Sequence, residues 1–261
     1  MLDNSFSELE RRIDCWPHRG PYRSVCGAVA GESPDRLRGL MGHLSRRFVE
    51  RTSCMHLPGS VMAFYERDIA RIASDTITQP DTFYDPNSDV FIKDLCIASQ
   101  RMVPAGAQVV HKSGIPRRWM LRARDVVIPL FLLRVGGRPP WFEIHTHYPV
   151  IGEFNEQGWI SCYRRIAEML DAEQDVKGVF GSSWFFDPEV ARVSPRLSYL
   201  RDIPMRNGAF SIRLGTSESD ISLATKKSNT RRTLYERGEY FPVSYALIWP
   251  RSEVLGWARR S

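Results

Sequence analysis

Residues 141–147 read Trp-Phe-Glu-Ile-His-Thr-His, the stretch of this chain with the densest potential for chemistry. In an extended strand successive side chains alternate, so Glu143, His145 and His147 share one side while Phe142, Ile144 and Thr146 face the other. Two chemistries fit that set. His145 or Glu143 can act as a general base that takes a proton from an attacking nucleophile. Alternatively, His145 and His147 with a carboxylate, Glu153 or Glu143, supply the two-histidine, one-carboxylate donor set of a non-haem iron or copper oxygenase. The pattern alone leaves both open, and it predicts that Glu143, His145 and His147 line one pocket.

Two other segments could hold an anionic substrate. Gly181, Ser182 and Ser183 follow a predicted strand at 176–180, and there small residues allow close backbone approach and hydroxyl donation. Arg117 lies in a basic segment: residues 110–138 hold seven bases and one acid, whereas residues 139–190 hold three bases and nine acids. The basic segment is expected to meet either an anionic ligand or the acidic helix beyond Asn155. Ser182 lacks the glycine-flanked elbow of an α/β-hydrolase nucleophile, which argues against a hydrolase.

These side chains need elements to position them. Ser33-Pro34-Asp35 is a helix start, and Leu37, Leu40, Met41, Leu44 and Phe48 recur at helical spacing after it. Ser5 with Glu8 predicts a capping box, residues 61–74 a further helix, and residues 80–87 a turn-rich connector. From Val90 the pattern becomes strand-like in VFIKDLCI, AQVVH and VVIPLFLL, then in WFEIHTH. Asn155 opens a helix to about Glu173, with Trp159, Tyr163, Ile166 and Leu170 on one stripe. A strand DISLAT, a helix capped by Ser228 and closed by Gly238, a strand VSYALIW and a terminal helical turn complete the order. The fold class is α/β (α+β), a mixed sheet with flanking helices. Residues 1–88 form a helical region packed on a core domain at 89–261.

The chain has 261 residues, 43% apolar and 11% aromatic, enough to form a large core, so disorder is excluded as the main state. The run Val126 to Leu133 is far shorter than the roughly 20 residues that span a bilayer, so no membrane span is expected. No secretory or transit signal is visible at the start, and a cytoplasmic, bacterial-type protein is expected. The net charge is +6, with 36 bases of which only five are lysine. No nucleic-acid recognition signature accompanies that charge, and a small-molecule partner is preferred over nucleic acid. The five cysteines are widely spaced, without the paired short spacings of a zinc site or a disulfide framework.

The stretch Ile221-Ser222-Leu223-Ala224-Thr225, then Ser228-Asn229 and Leu234-Tyr235-Glu236 before Gly238 and Tyr240, resembles the closing strand and helix of the GNAT acyltransferase superfamily. The likeness spans about thirty residues. It implies an acyl-CoA or acyl carrier protein thioester as donor, with Tyr235 protonating the departing thiolate. Tyr235 would then point toward Glu143 and His145, with Leu234 buried and Arg231 and Arg232 more exposed. The family's pyrophosphate-loop motif is not found before the Asn155 helix. The leading expectation is an acyltransferase with a His/Glu base, acting on a small polar metabolite. The alternatives are the metal-dependent oxygenase, which would carry iron, and a non-catalytic binding domain presenting residues 117–124.

Overall fold

The computed structural model describes residues 3–14, 21–52, 55–122 and 140–260. Among these, twelve α-helices surround one six-stranded mixed sheet. The first five helices are α1 (Asp3–Asp14), α2 (Pro21–Val29), α3 (Pro34–Thr52), α4 (Gly59–Thr78) and α5 (Asp89–Ala98). The sheet then begins with β1 (Val103–Pro104) and β2 (Gln108–Ser113), followed by α6 (Arg117–Arg122) and β3 (Trp141–Thr146). The crossover helix α7 (Glu156–Ala172) leads to β4 (Gly178–Ser183), and the short helices α8 (Val190–Val193) and α9 (Tyr199–Met205) follow. The chain closes with β5 (Phe210–Gly215), α10 (Glu218–Thr225), α11 (Asn229–Glu236), β6 (Ser244–Pro250) and α12 (Arg251–Arg260).

The strand order is β1-β2-β3-β4-β6-β5, with every neighbouring pair antiparallel except β3 and β4. The parallel pair needs a crossover, and α7 supplies it. Asn155 caps that helix, its Oδ1 accepting from Gly158 N at 2.9 Å. Trp159, Tyr163, Ile166 and Leu170 are buried as the stripe predicts. They pack with Val110, Phe142, Ile144, Val179, Leu247 and Trp249 on one sheet face. On the opposite face Val109 joins the core of α1 to α5, and Trp141, Phe180, Ile212, Ala246 and Ile248 pack under Trp119 of α6.

Four expectations are corrected. VFIKDLCI is α5, capped by Ser88 through Phe91 N at 3.4 Å. Residues 91 to 98 are all buried, so the helix is apolar nearly all round and hides its period. DISLAT lies in α10, begun by a capping box between Ser217 and Asp220. The first helix begins at Asp3, so Ser5 lies inside it and not at its cap. Gly181 is mid-strand, and β4 runs on through Ser183. The expected strand VVIPLFLL lies outside the described residues.

Candidate functional site

Register brings together residues that are far apart in sequence. In the β2–β3 ladder His111 pairs with Glu143 and Val109 with His145, so His111, Glu143 and His145 share one sheet face. His111 Nε2 and His145 Nε2 are 3.1 Å apart. The carboxylate of Glu143 lies 3.6 Å from His111 Nε2 and 3.7 Å from His145 Nε2, too long for a hydrogen bond to either. His111 is nearly enclosed, whereas Glu143 and His145 keep 25% and 30% of their side chains exposed. The cluster therefore opens on the Glu143 and His145 side.

The protonation pattern follows from the partners. His111 Nδ1 is 3.2 Å from Lys112 O, and since a carbonyl only accepts, Nδ1 carries the proton there. His111 Nε2 is then an acceptor, and His145 Nε2–H donates to it. Burial holds His111 below the ordinary histidine range, against the pull of Glu143. Burial, then His111, then Lys93 push His145 down to about 3. Both imidazoles are neutral at physiological pH.

The edges of β3 and β4 give this face its opening. Their parallel ladder comprises only Phe142 with Val179 and Glu143 with Phe180, although each strand runs three residues further. Beyond that point β3 pairs only with β2, and β4 only with β6. The carboxyl ends of a parallel pair with such a break are where α/β sheets bind ligands. By strand alternation Ser182, two residues beyond Phe180, lies on the same face as Glu143, and it is exposed. Ser183 Oγ instead accepts from Phe185 N at 3.2 Å and caps the following turn. Arg117 and Arg118 are exposed at the start of α6, on the same side of the sheet, because Trp119 of that helix packs edge-on to Phe180. Of the basic segment, residues 123–139 lie outside the described residues. Its Lys112 does meet the acidic helix, at 2.9 Å from Glu173.

The metal set of His145, His147 and Glu153 is not brought together. His147 lies past the end of β3, buried, with Nε2 2.9 Å from Asp68 of α4. Glu153 pairs with Arg67 at 2.9 Å and lies 3.8 Å from Arg165. The residue missing from the sequence-based set is His111. The only signal for it is that the strand AQVVH ends in histidine on the same alternation, which becomes meaningful once β2 and β3 are paired.

Tyr235 lies on α11. The helix that carries it stands between β5 and β6, and its ring packs edge-on to Phe241 at 5.7 Å. No hydrogen bond among the described residues joins Tyr235 to the histidines. Arg231 rather than Leu234 is the buried residue of this helix, bonded to Ser194 Oγ at 2.8 Å and to Ala224 O, with its guanidinium over Trp184. Leu234 is half-buried. A groove of about 570 Å³ beside β1 and β2 is lined by Val103, Val110, His111, Phe142 and Met169, among others. Val110 and Phe142 belong to the opposite sheet face, but His111 of the cluster also lines this groove, so the two adjoin at His111.

No family model and no curated protein matches this chain. Solved structures do. An acyltransferase in complex with CoA and 10C-teicoplanin superposes with a TM-score of 0.53 at 12% identity, over 95% of this chain and 76% of that one. An acyltransferase mutant in complex with octanoyl-CoA gives the same TM-score and identity, over 95% and 77%. An acyltransferase in complex with decanoyl-CoA gives 0.51 at 11% identity, over 95% and 76%. At such identity the likeness concerns the fold: this chain has an acyltransferase-like fold.

Proposed function

We propose that this protein transfers an acyl group from a coenzyme A thioester to an amine of a small polar molecule. The observation that carries the reading is the Glu143, His111 and His145 cluster, open on one side beside the unpaired carboxyl ends of β3 and β4. Support comes from the fold shared with acyltransferases that were crystallised with CoA, octanoyl-CoA and decanoyl-CoA.

In this reading Glu143 is the base. A histidine pushed down to about 3 is a poor proton store, whereas Glu143 has its carboxylate uncommitted. The amine nitrogen attacks the thioester carbonyl, Glu143 takes the amine proton, the carbon–sulfur bond breaks, and the thiolate recovers that proton from Glu143. The neutral histidine pair holds no competing cation beside the carboxylate and orients the nucleophile. Arg117 and Arg118 face the anionic part of the donor, and Ser182 donates to a polar group of either substrate. Tyr235 is left without a part in the reaction.

Thermal unfolding with acetyl- to decanoyl-CoA tests donor binding: a ligand at a hundred times its Kd stabilises by about 2.7 kcal/mol. Release of free thiol in the presence of an amine panel tests transfer. Glu143→Gln is expected to lower kcat by roughly 100-fold or more while leaving the acyl-CoA Kd unchanged. Absence of both stabilisation and thiol release across the series would overturn the reading.

A further inference from the structure

We infer that His111, Glu143 and His145 also form a binding site for one divalent first-row metal ion, of the zinc or ferrous class. One ligand atom from each residue lies within 4.8 Å of the other two. The two imidazole planes differ by only 9° with ring centroids 5.2 Å apart, while their Nε2 atoms are 3.1 Å apart. The nitrogens therefore face each other edge to edge, across the strip that the His145 Nε2 proton occupies in the metal-free pair. Two nitrogens bound to a tetrahedral ion at about 2.0–2.1 Å stand about 3.3 Å apart, so binding asks for a separation greater by a few tenths of an ångström and a rotation of each imidazole that turns its lone pair from the other nitrogen to the ion. Glu143 closes the third corner at 3.6 and 3.7 Å from the two nitrogens.

The surroundings suit a metal as well as the donors do. The hydrogen bond from His111 Nδ1 to Lys112 O fixes the tautomer that presents the Nε2 lone pair, the usual outer support of a metal-binding imidazole. His145 presents its own lone pair once its proton resides on Nδ1. The open side, where Glu143 and His145 are partly exposed, gives an ion its way in and leaves a coordination position for water or another small ligand. Two imidazoles with one carboxylate favour zinc or iron over magnesium or calcium, which select oxygen.

This site uses the same side chains as the proposed acyl transfer but does not rest on it. Cobalt(II) added to the full, tag-free chain is the probe. One cobalt per chain is expected, with visible ligand-field bands and without the sulfur charge-transfer absorption of cysteine ligation. Intense bands identify a four-coordinate, zinc-type site, and weak bands a six-coordinate, iron-type one. His111→Gln and Glu143→Gln should each weaken cobalt binding by about tenfold or more. The exposed His56 provides the control, since His56→Gln should change nothing. Should His111→Gln fail to fold, Glu143→Gln decides, because it keeps the side-chain size at a partly exposed position. No cobalt uptake by the unaltered chain, or uptake unchanged in the folded variants, would overturn the inference. Cobalt uptake with neither acyl-CoA stabilisation nor thiol release would overturn only the acyltransferase reading, and acyl transfer without cobalt uptake only this one.

Discussion

At Arg71 one guanidinium serves three carboxylates, with Asp68 at 2.7 Å, Asp75 at 2.9 Å and Asp94 at 2.6 Å. The two buried acids respond in opposite ways. Burial pushes Asp68 up, but hydrogen bonds and charge from His147 and Arg71 outweigh it and hold the carboxyl below its usual range. For Asp94, burial outweighs Arg71 and holds the carboxyl above that range. The stabilisation from Asp68 is therefore complete above the unfolded value of about 3.9 and is lost as pH falls through the depressed folded value. Ionisation of Asp94 has the opposite effect: its contribution is full below the unfolded value and is lost as pH rises from there through the raised folded value. Asp68→Asn should thus cost about 3–5 kcal/mol at pH 7, as breaking a buried pair does, and Asp94→Asn less. Urea unfolding of both variants at pH 7 checks the order, and equal costs would show that the partners act alike. Below pH 4 the gap between wild type and Asp68→Asn should narrow. At this scale the sequence is legible only where neighbours are local. Strand alternation joins Glu143 to His145, but nothing near His147 announces Asp68, which lies on a helix 79 residues earlier.

Elements show which local signals survive tertiary packing. The α7 helix and β3 follow their patterns because each has one apolar face and one wetter one, whereas α5 is buried on all sides and its apolar run looks like a strand. For α10 the capping pair Ser217 and Asp220 is present in the sequence, yet the short apolar run Ile221 to Ala224 reads as β when that pair is overlooked. The element that aims β3 at β4 is the turn between β3 and α7, and Gly158 fixes how closely it packs. A Cβ on Gly158 would lie 2.2 Å from Glu153 O and 2.8 Å from its carbonyl carbon, both backbone atoms that cannot swing away. Alanine gains up to about 1 kcal/mol in helix propensity over glycine, against about 1–3 kcal/mol for overpacking. Gly158→Ala should therefore be destabilising on balance, seen as a lower urea midpoint with an unchanged slope. A stabilised variant would mean that the turn relaxes freely and does not set the path from β3 into α7.

For the whole molecule, the two largest cores meet at the sheet: Val109 of β2 faces the helical one and Val110, its neighbour, faces the one under α7. Helix α4 belongs to both, since Tyr65 packs in the first and Val61 in the second. Polar links tie it to the β3–α7 unit as well. Arg67 meets Glu153 at 2.9 Å, Ser60 bonds Glu168, and the Arg165 guanidinium stands 4.6 Å over Phe64. We therefore propose that the boundary near residue 88 separates two packing regions and not two folding units. A chain of residues 89–261 alone would expose Phe91, Ile92, Leu95, Ile97, Met102 and Val109, all buried in the full protein. Each such side chain loses about 1.5–3 kcal/mol of burial, so the six together exceed the 5–15 kcal/mol that typically separates folded from unfolded domains, or consume most of it. Expressed alone, 89–261 should lack a cooperative thermal transition and near-ultraviolet circular dichroism, while the full chain shows one transition by both probes. A sharp, reversible melt of the 89–261 chain would make residues 1–88 an appended domain. The histidine cluster would then belong to a core able to fold and act without them.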